Sequence, residues 1–138
     1  MKFDLRTIPS PGSAPTRARP FIDVVVEGLD AAPHACLIDS GATAIRFGAE
    51  VAELCGVDLT DAPEMPLAVG GEIVDARMAE VALQLDDGGE TYTWTAAAWF
   101  CEPWRPAFGL LGLTGFFDQF EVRINSYEET TELIPINV

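Results

Sequence analysis

The chain is expected to be an all-β domain, on three observations. Short runs rich in β-branched and aromatic residues recur about every 8–12 residues. Between them lie turn-forming residues, 12 Gly and 10 Pro spread along 138 positions. Helical periodicity is almost absent, with room for one or two short helices only. At 138 residues, 49% of them apolar, the chain has the size and hydrophobicity of one folded domain with its own core.

Phe3 to Ile8 alternates as a strand does. Residues 9–20 hold four prolines with Gly, Ser and Ala, an extended connector. Together, residues 1–19 form a basic, Pro-rich N-terminal arm, and residues 20–138 the folded domain. Phe21 to Glu27 is a β-branched strand, Gly28 to Pro33 turns, and His34 to Ile38 is a second core strand. Arg46 to Leu54 suits a short helix ended by Gly56. Leu67-Ala68-Val69 and Glu72-Ile73-Val74 flank Gly70-Gly71, a pair able to take positive φ, and so predict a hairpin. Met78 to Leu85 alternates, Asp86-Asp87-Gly88-Gly89 turns, and Glu90 to Cys101 returns as a long strand. Glu102 to Pro106 is a loop, and Phe108 to Gly112 is apolar and punctuated by glycine. Thr114 to Gln119 suits a short helix with Thr114 as its N-cap. Phe120 to Ile124 and Thr131 to Ile136 are the last strands.

The charge excludes some functions. A formal net charge of −14 repels phosphate backbones, so nucleic acid is not an expected partner. The first 19 residues hold four of the eight basic residues and one acidic residue, about +3 against −17 for the rest. This arm is either a solvated leader or a segment attracted to the acidic body. Cys36, Cys55 and Cys101 are odd in number and far apart, and His34 is the only histidine, which speaks against a zinc site. Cys36 and Cys101 lie in apolar runs and are expected as buried thiols, in keeping with a reducing compartment. Neither a secretory h-region nor an apolar run of about 18 residues is present, so a cytoplasmic protein without membrane contact is expected.

The residues that carry chemistry begin at Asp39. The apolar run Cys36-Leu37-Ile38 leads straight into Asp39-Ser40-Gly41-Ala42-Thr43, and this Asp-Ser-Gly triplet occurs once. Three segments in order, Leu37 to Ala42, Val69-Gly70-Gly71 between two strands, and Leu110-Leu111-Gly112 ahead of Phe120 to Ile124, resemble the retropepsin-like aspartic proteases, the single-domain class found in retroviruses and bacteria. The match spans roughly residues 20–136. The triplet alone is a weak signal, as is the Gly-Gly hairpin; the order and spacing of all three carry the resemblance.

That resemblance implies an all-β acid-protease half-barrel with a flap hairpin, acting as a homodimer. Asp39 would be catalytic, with Ser40 and Gly41 shaping its turn. Val69, Gly70 and Gly71 would form the flap over substrate, and Leu110, Leu111 and Gly112 the bracing strand. One Asp-Ser-Gly per chain means that the second carboxylate comes from a second copy. Two carboxylates about 3 Å apart cannot both ionise, so they share a proton and activate water between them. No metal or cofactor takes part. The substrate would be an extended peptide or protein segment. Gly41 lets the backbone approach the carboxylate closely, and the Ser40 hydroxyl would bond across the dimer. Arg46 follows so soon after the turn that a fixed cation near Asp39 would oppose the shared proton. Pro135 limits pairing of the last strand to an edge or an end.

The plain alternatives stand beside these. Asp39 next to Gly41 is also a common turn aspartate, and the hairpin and bracing strand are also ordinary structure. The rival function is a catalytically inactive retropepsin-like dimerisation or peptide-binding module. His34 is expected to be structural, and Trp94, Trp99 and Trp104 to pack in the core, with Trp104 also placed to line a substrate pocket.

Overall fold

The computed structural model describes residues 1–8, 17–28 and 31–136. Among these described residues ten strands and one helix follow in order: β1 (Lys2–Asp4), β2 (Phe21–Val26), β3 (Pro33–Ile38), β4 (Ile45–Gly48), α1 (Ala49–Cys55), β5 (Glu64–Val69), β6 (Glu72–Asp86), β7 (Thr91–Glu102), β8 (Gly109–Leu111), β9 (Phe120–Asn125) and β10 (Thr130–Pro135). The all-β expectation is met. Much of the expected connector, residues 9–16, lies outside the described residues, as do residues 29 and 30 of the turn before β3.

Seven strands form one sheet in the order β2-β3-β8-β4-β7-β6-β5, and β2 also pairs with β6. That extra pairing closes six strands into a barrel and leaves β5 outside as an edge. Alternation explains the filling. Ile22, Val24 and Val26 of β2 and Val81, Leu83 and Leu85 of β6 point inward, while Asp23 points out. Phe47, Phe100 and Leu111 complete the barrel core. At the far end, Tyr92, Trp94, Phe116 and Phe120 interlock, with Trp94 set edge-on to Phe120 at 5.2 Å. The Trp94 indole N–H donates to the Gly115 carbonyl at 2.9 Å, so its polar edge is satisfied.

Strand β6 is 15 residues long and serves two places. Its second half closes the barrel; its first half leaves it with β5 as a hairpin, over a small second core of Val74, Ala76 and Cys101. The run expected as two strands is therefore one. All three cysteines are buried, and none is in a disulfide. Burial pushes the Cys36 thiol up to about 12 and the Cys101 thiol up to about 11, so both behave as apolar filling.

A second sheet has the order β1-β10-β9. The two ends of the chain thus pair with each other, Lys2 opposite Glu132 and Asp4 opposite Thr130. Pro135 falls at the last position of β10, where a missing N–H costs least. Charges near the chain start are in use: Arg6 pairs with Asp23, and the Arg19 guanidinium lies 5.0 Å from the centre of the Phe21 ring.

Two local expectations are corrected. The helix begins at Ala49 and not at Arg46, because Ile45 to Gly48 are strand β4, held between β7 and β8. Ile45 and Phe47 are strand formers that fill the core from there, and tertiary pairing outweighs the weak helical pattern. Gly56 does end the helix, in the left-handed conformation at φ 70°. The helix expected over residues 114–119 is absent: residue 114 is a β-bridge and residues 115–119 form successive turns. Thr114 is taken by a bridge to Ala44, and Gly115 has φ +97°, which no helix accommodates.

Candidate functional site

The site is built where β3 ends. Strand β8 lies between β3 and β4, parallel to the first and antiparallel to the second. Leu37 pairs with Leu110 and Ile38 with Leu111, and the Asp39 amide donates to the Leu111 carbonyl at 3.0 Å. The loop after Asp39 is then pinned from the same side. Leu113 N–H donates to Ala42 and Thr114 N–H to Thr43, both at 2.9 Å. Gly112 fits between these contacts: a Cβ there would lie 2.4 Å from the Ala44 carbonyl oxygen and 2.5 Å from that of Ala42. Leu111 and Gly112 thus touch the Asp39 loop through their backbone, and Leu110 pairs with Leu37 ahead of it and with Arg46.

Within the loop, the Gly41 N–H donates to Asp39 Oδ1 at 2.8 Å. A Cβ on Gly41 would lie 3.0 Å from that same oxygen, so glycine permits the close approach. This bond is the one a plain turn aspartate makes, and it is equally the bond that fixes a carboxylate with its other oxygen outward. Oδ2 and the exposed Ser40 hydroxyl make no hydrogen bond among the described residues. Asp39 itself is half-buried.

The hairpin of β5 and β6 turns at Gly70 and Gly71, with φ +57° and +80°. Both values are positive, as a two-residue hairpin turn of this hand requires, and open space surrounds both positions. Between the hairpin and the loop 103–108 lies a cavity of about 370 Å³, lined by Val69, Gly70, Val74, Trp104, Pro106 and Phe108. The Trp104 indole N–H donates to the Phe108 carbonyl at 3.1 Å, which holds the ring as one wall. Trp94, by contrast, is core.

Two contacts at this site were not visible in the sequence. Arg105 bonds Glu72 through Nε at 2.7 Å and through its terminal nitrogen at 3.2 Å, tying the loop to the hairpin just beside its turn across 33 positions. Arg46 bonds the Ala68 carbonyl at 2.8 Å and Thr43 Oγ1 at 3.1 Å. The expected cation beside Asp39 is not realised as an ion pair, since the buried guanidinium turns to the hairpin strand.

The Glu72 contact has a pH signature. The hydrogen bond from Arg105 holds the Glu72 carboxyl below its ordinary value. A depressed carboxyl gives its stabilisation above the unfolded value and loses it as pH falls through the folded one. The tie should therefore open in acid. In Arg105→Ala, the Glu72 titration followed by carboxyl NMR is expected to move up toward ordinary glutamate; an unmoved midpoint would show that the pair does not form in solution.

His34 lies at the other end of β3, five residues from Asp39, or about 16 Å along an extended strand. Its Nε2 is 3.8 Å from Cys55 Sγ. Burial lowers its pKa, opposed by the nearby Glu50. It is not part of the Asp39 loop.

No family model matches the chain, and no curated protein matches it. Solved structures do. A retropepsin-like aspartic protease from Rickettsia conorii superposes with a TM-score of 0.63 over 96% of this chain and 89% of its own, at 18% identity. The retroviral protease-like domain of Ddi1 from Leishmania major gives 0.51 over 83% of this chain and 93% of its own, at 13% identity. The chain thus has the retropepsin-like fold. Among the described residues, no helix is long and apolar enough to cross a membrane.

Proposed function

We propose that this chain is a homodimeric aspartic endopeptidase, with Asp39 and the Asp39 of a second copy as the catalytic pair. The observation that carries the reading is the Asp39 loop itself. A carboxylate stands at the end of an apolar strand, one oxygen fixed by Gly41 N–H and the other without a hydrogen bond among the described residues, with Leu111 to Thr114 behind it. A twofold axis beside this loop brings two such carboxylates together, and neither chain has a site alone. One carboxyl then holds the shared proton as general acid while its twin accepts the proton of the attacking water. The pair titrates as a unit. Ser40 is the candidate hydroxyl to bond across the axis.

The β5–β6 hairpin is the candidate flap, with Val69, Gly70 and Gly71 at its tip. Substrate would lie beneath it as an extended strand, pairing through its backbone and placing an apolar side chain in the cavity walled by Trp104 and Phe108. The contacts of Leu111 and Gly112 with the loop, and of Leu110 with Leu37 ahead of it, support a bracing role for this strand.

Mixing tests this assembly. The wild-type chain is assayed against a peptide library, alone and after subunit exchange with Asp39→Asn. At equal amounts, about a quarter of random dimers hold two wild-type chains, so activity should fall to about a quarter at constant total protein. Activity that stays at half would mean that each chain works by itself.

Dimer formation should depend on salt. Each copy carries −14, so two copies repel, and the screening length shrinks from about 10 Å at 0.1 M to about 3 Å at 1 M. Association measured by sedimentation velocity is expected to tighten as salt rises and as pH falls below neutrality. Association unchanged across both would exclude charge repulsion as its control.

A further inference from the structure

Arg46 is the one charged side chain among the buried described residues, 8% exposed. It sits in β4, with Ile45 and Phe47 in the core on either side. No Asp or Glu among the described residues forms an ion pair with it. Its charge rests on two neutral acceptors, the Ala68 carbonyl and Thr43 Oγ1, and its Nε is buried without a partner. Burying an unpaired charge is costly, and an apolar side chain of similar length would fill the space more cheaply. Stability alone therefore does not account for a guanidinium here.

Its two acceptors do. Thr43 belongs to the loop that starts at Asp39 and is held at its own carbonyl by Thr114 N–H. Ala68 immediately precedes Val69 at the hairpin tip. In a two-residue hairpin the flanking pair, Val69 and Glu72, exchange both backbone bonds, so the next residue, Ala68, turns its carbonyl away from β6. Strand β5 is the sheet edge and pairs with β6 alone. Arg46 thus takes a carbonyl that the hairpin leaves unused and joins it to the Asp39 loop. The other tie on the hairpin, Glu72 to Arg105, is exposed and open to salt; the Arg46 contacts are part-buried and start from a buried side chain, so salt reaches them less.

We propose that Arg46 is a positioning residue that latches the flap to the active-site loop and sets the height of Gly70 and Gly71 over Asp39. Its consequence for catalysis rests on the protease reading; the latch itself is a property of the single chain. Backbone nitrogen-15 relaxation tests it without substrate. In Arg46→Met, the order parameters of Val69 to Ile73 are expected to drop while those of Leu83 and Ala98 stay as in wild type. Arg46→Lys should restore part of the order, because an ammonium can reach the Ala68 carbonyl but cannot fork to Thr43. Thr43→Val, at an exposed position, should loosen the same segment less, and it decides the matter if Arg46→Met does not fold. Unchanged flap amides in these variants, or equal loosening of the whole sheet, would overturn the latch. With a peptide that the wild type cleaves, Arg46→Met should raise KM by about tenfold with kcat within about twofold, and Arg46→Lys should lie between. A fall in kcat at unchanged KM would overturn the positioning role. Absence of cleavage by the wild type would sink the protease reading and leave the relaxation result to stand.

Discussion

Asn at position 39 is expected to lower kcat/KM for peptide cleavage by about a thousandfold or more, with the fold and the dimer intact. The carboxamide has nearly the shape of the carboxylate and can still accept the Gly41 N–H through its oxygen. What it cannot do is take a proton from water or return one to the leaving amine. Because a twofold dimer carries both copies, the substitution removes both halves of the pair at once. Thermal unfolding should change little, within about 1 kcal/mol, since no core contact is touched. Mass spectrometry of a peptide library incubated with each chain gives the comparison. Equal cleavage by both would end the aspartic-protease reading and leave the fold as a binding or dimerisation module.

Gly112→Ala is expected to be the most damaging single methyl group near the site. Its Cβ would meet the Ala44 carbonyl oxygen at 2.4 Å, the Ala42 carbonyl oxygen at 2.5 Å and the Ala44 nitrogen at 2.7 Å. All three are backbone atoms, so no rotamer change relieves the clash. Either the Asp39 loop or β8 must shift, and a destabilisation of about 3 kcal/mol or more is the expected scale for such overpacking. The loop that Gly112 braces carries Asp39, so activity should fall beyond what unfolding explains. Gly89→Ala is the control, since its nearest neighbour is a flexible side chain, Asp87 Oδ1, at 3.6 Å. Denaturant melts read by circular dichroism compare the two. Equal midpoints would mean that the loop yields freely and that Gly112 does not brace it.

The sequence made legible what local pattern encodes. Alternation in Met78 to Leu85 placed the second half of β6, runs of strand-forming residues placed β2, β3 and β7, and Gly70-Gly71 placed the hairpin turn, because φ preference and strand pattern are properties of neighbours in the chain. The order of Asp39-Ser40-Gly41, Gly70-Gly71 and Leu110-Leu111-Gly112 pointed to the fold that the superpositions then bore out. What stayed hidden depends on distant partners. Ile45-Arg46-Phe47-Gly48 is too short to choose between helix and strand, and only β7 and β8 on its two sides decide it. Residues 114–119 open on Thr114, a candidate N-cap, yet Gly115 at φ +97° and the bridge from Thr114 to Ala44 impose turns. Arg46 to Ala68 and Arg105 to Glu72 span 22 and 33 positions, and no local signal links their members. Closure of β1 onto β10 joins the two ends of the chain in the same way.

The distance between the two Asp39 carboxyl groups in the assembled dimer tests the central claim most directly, and a crystal structure of the dimer measures it. The catalytic pairing predicts oxygens of the two copies about 3 Å apart, across a twofold axis that also brings the two Ser40 hydroxyls into the interface. A dimer that holds the two Asp39 loops apart, or a chain that stays monomeric with Asp39 bound to Gly41 alone, would contradict it.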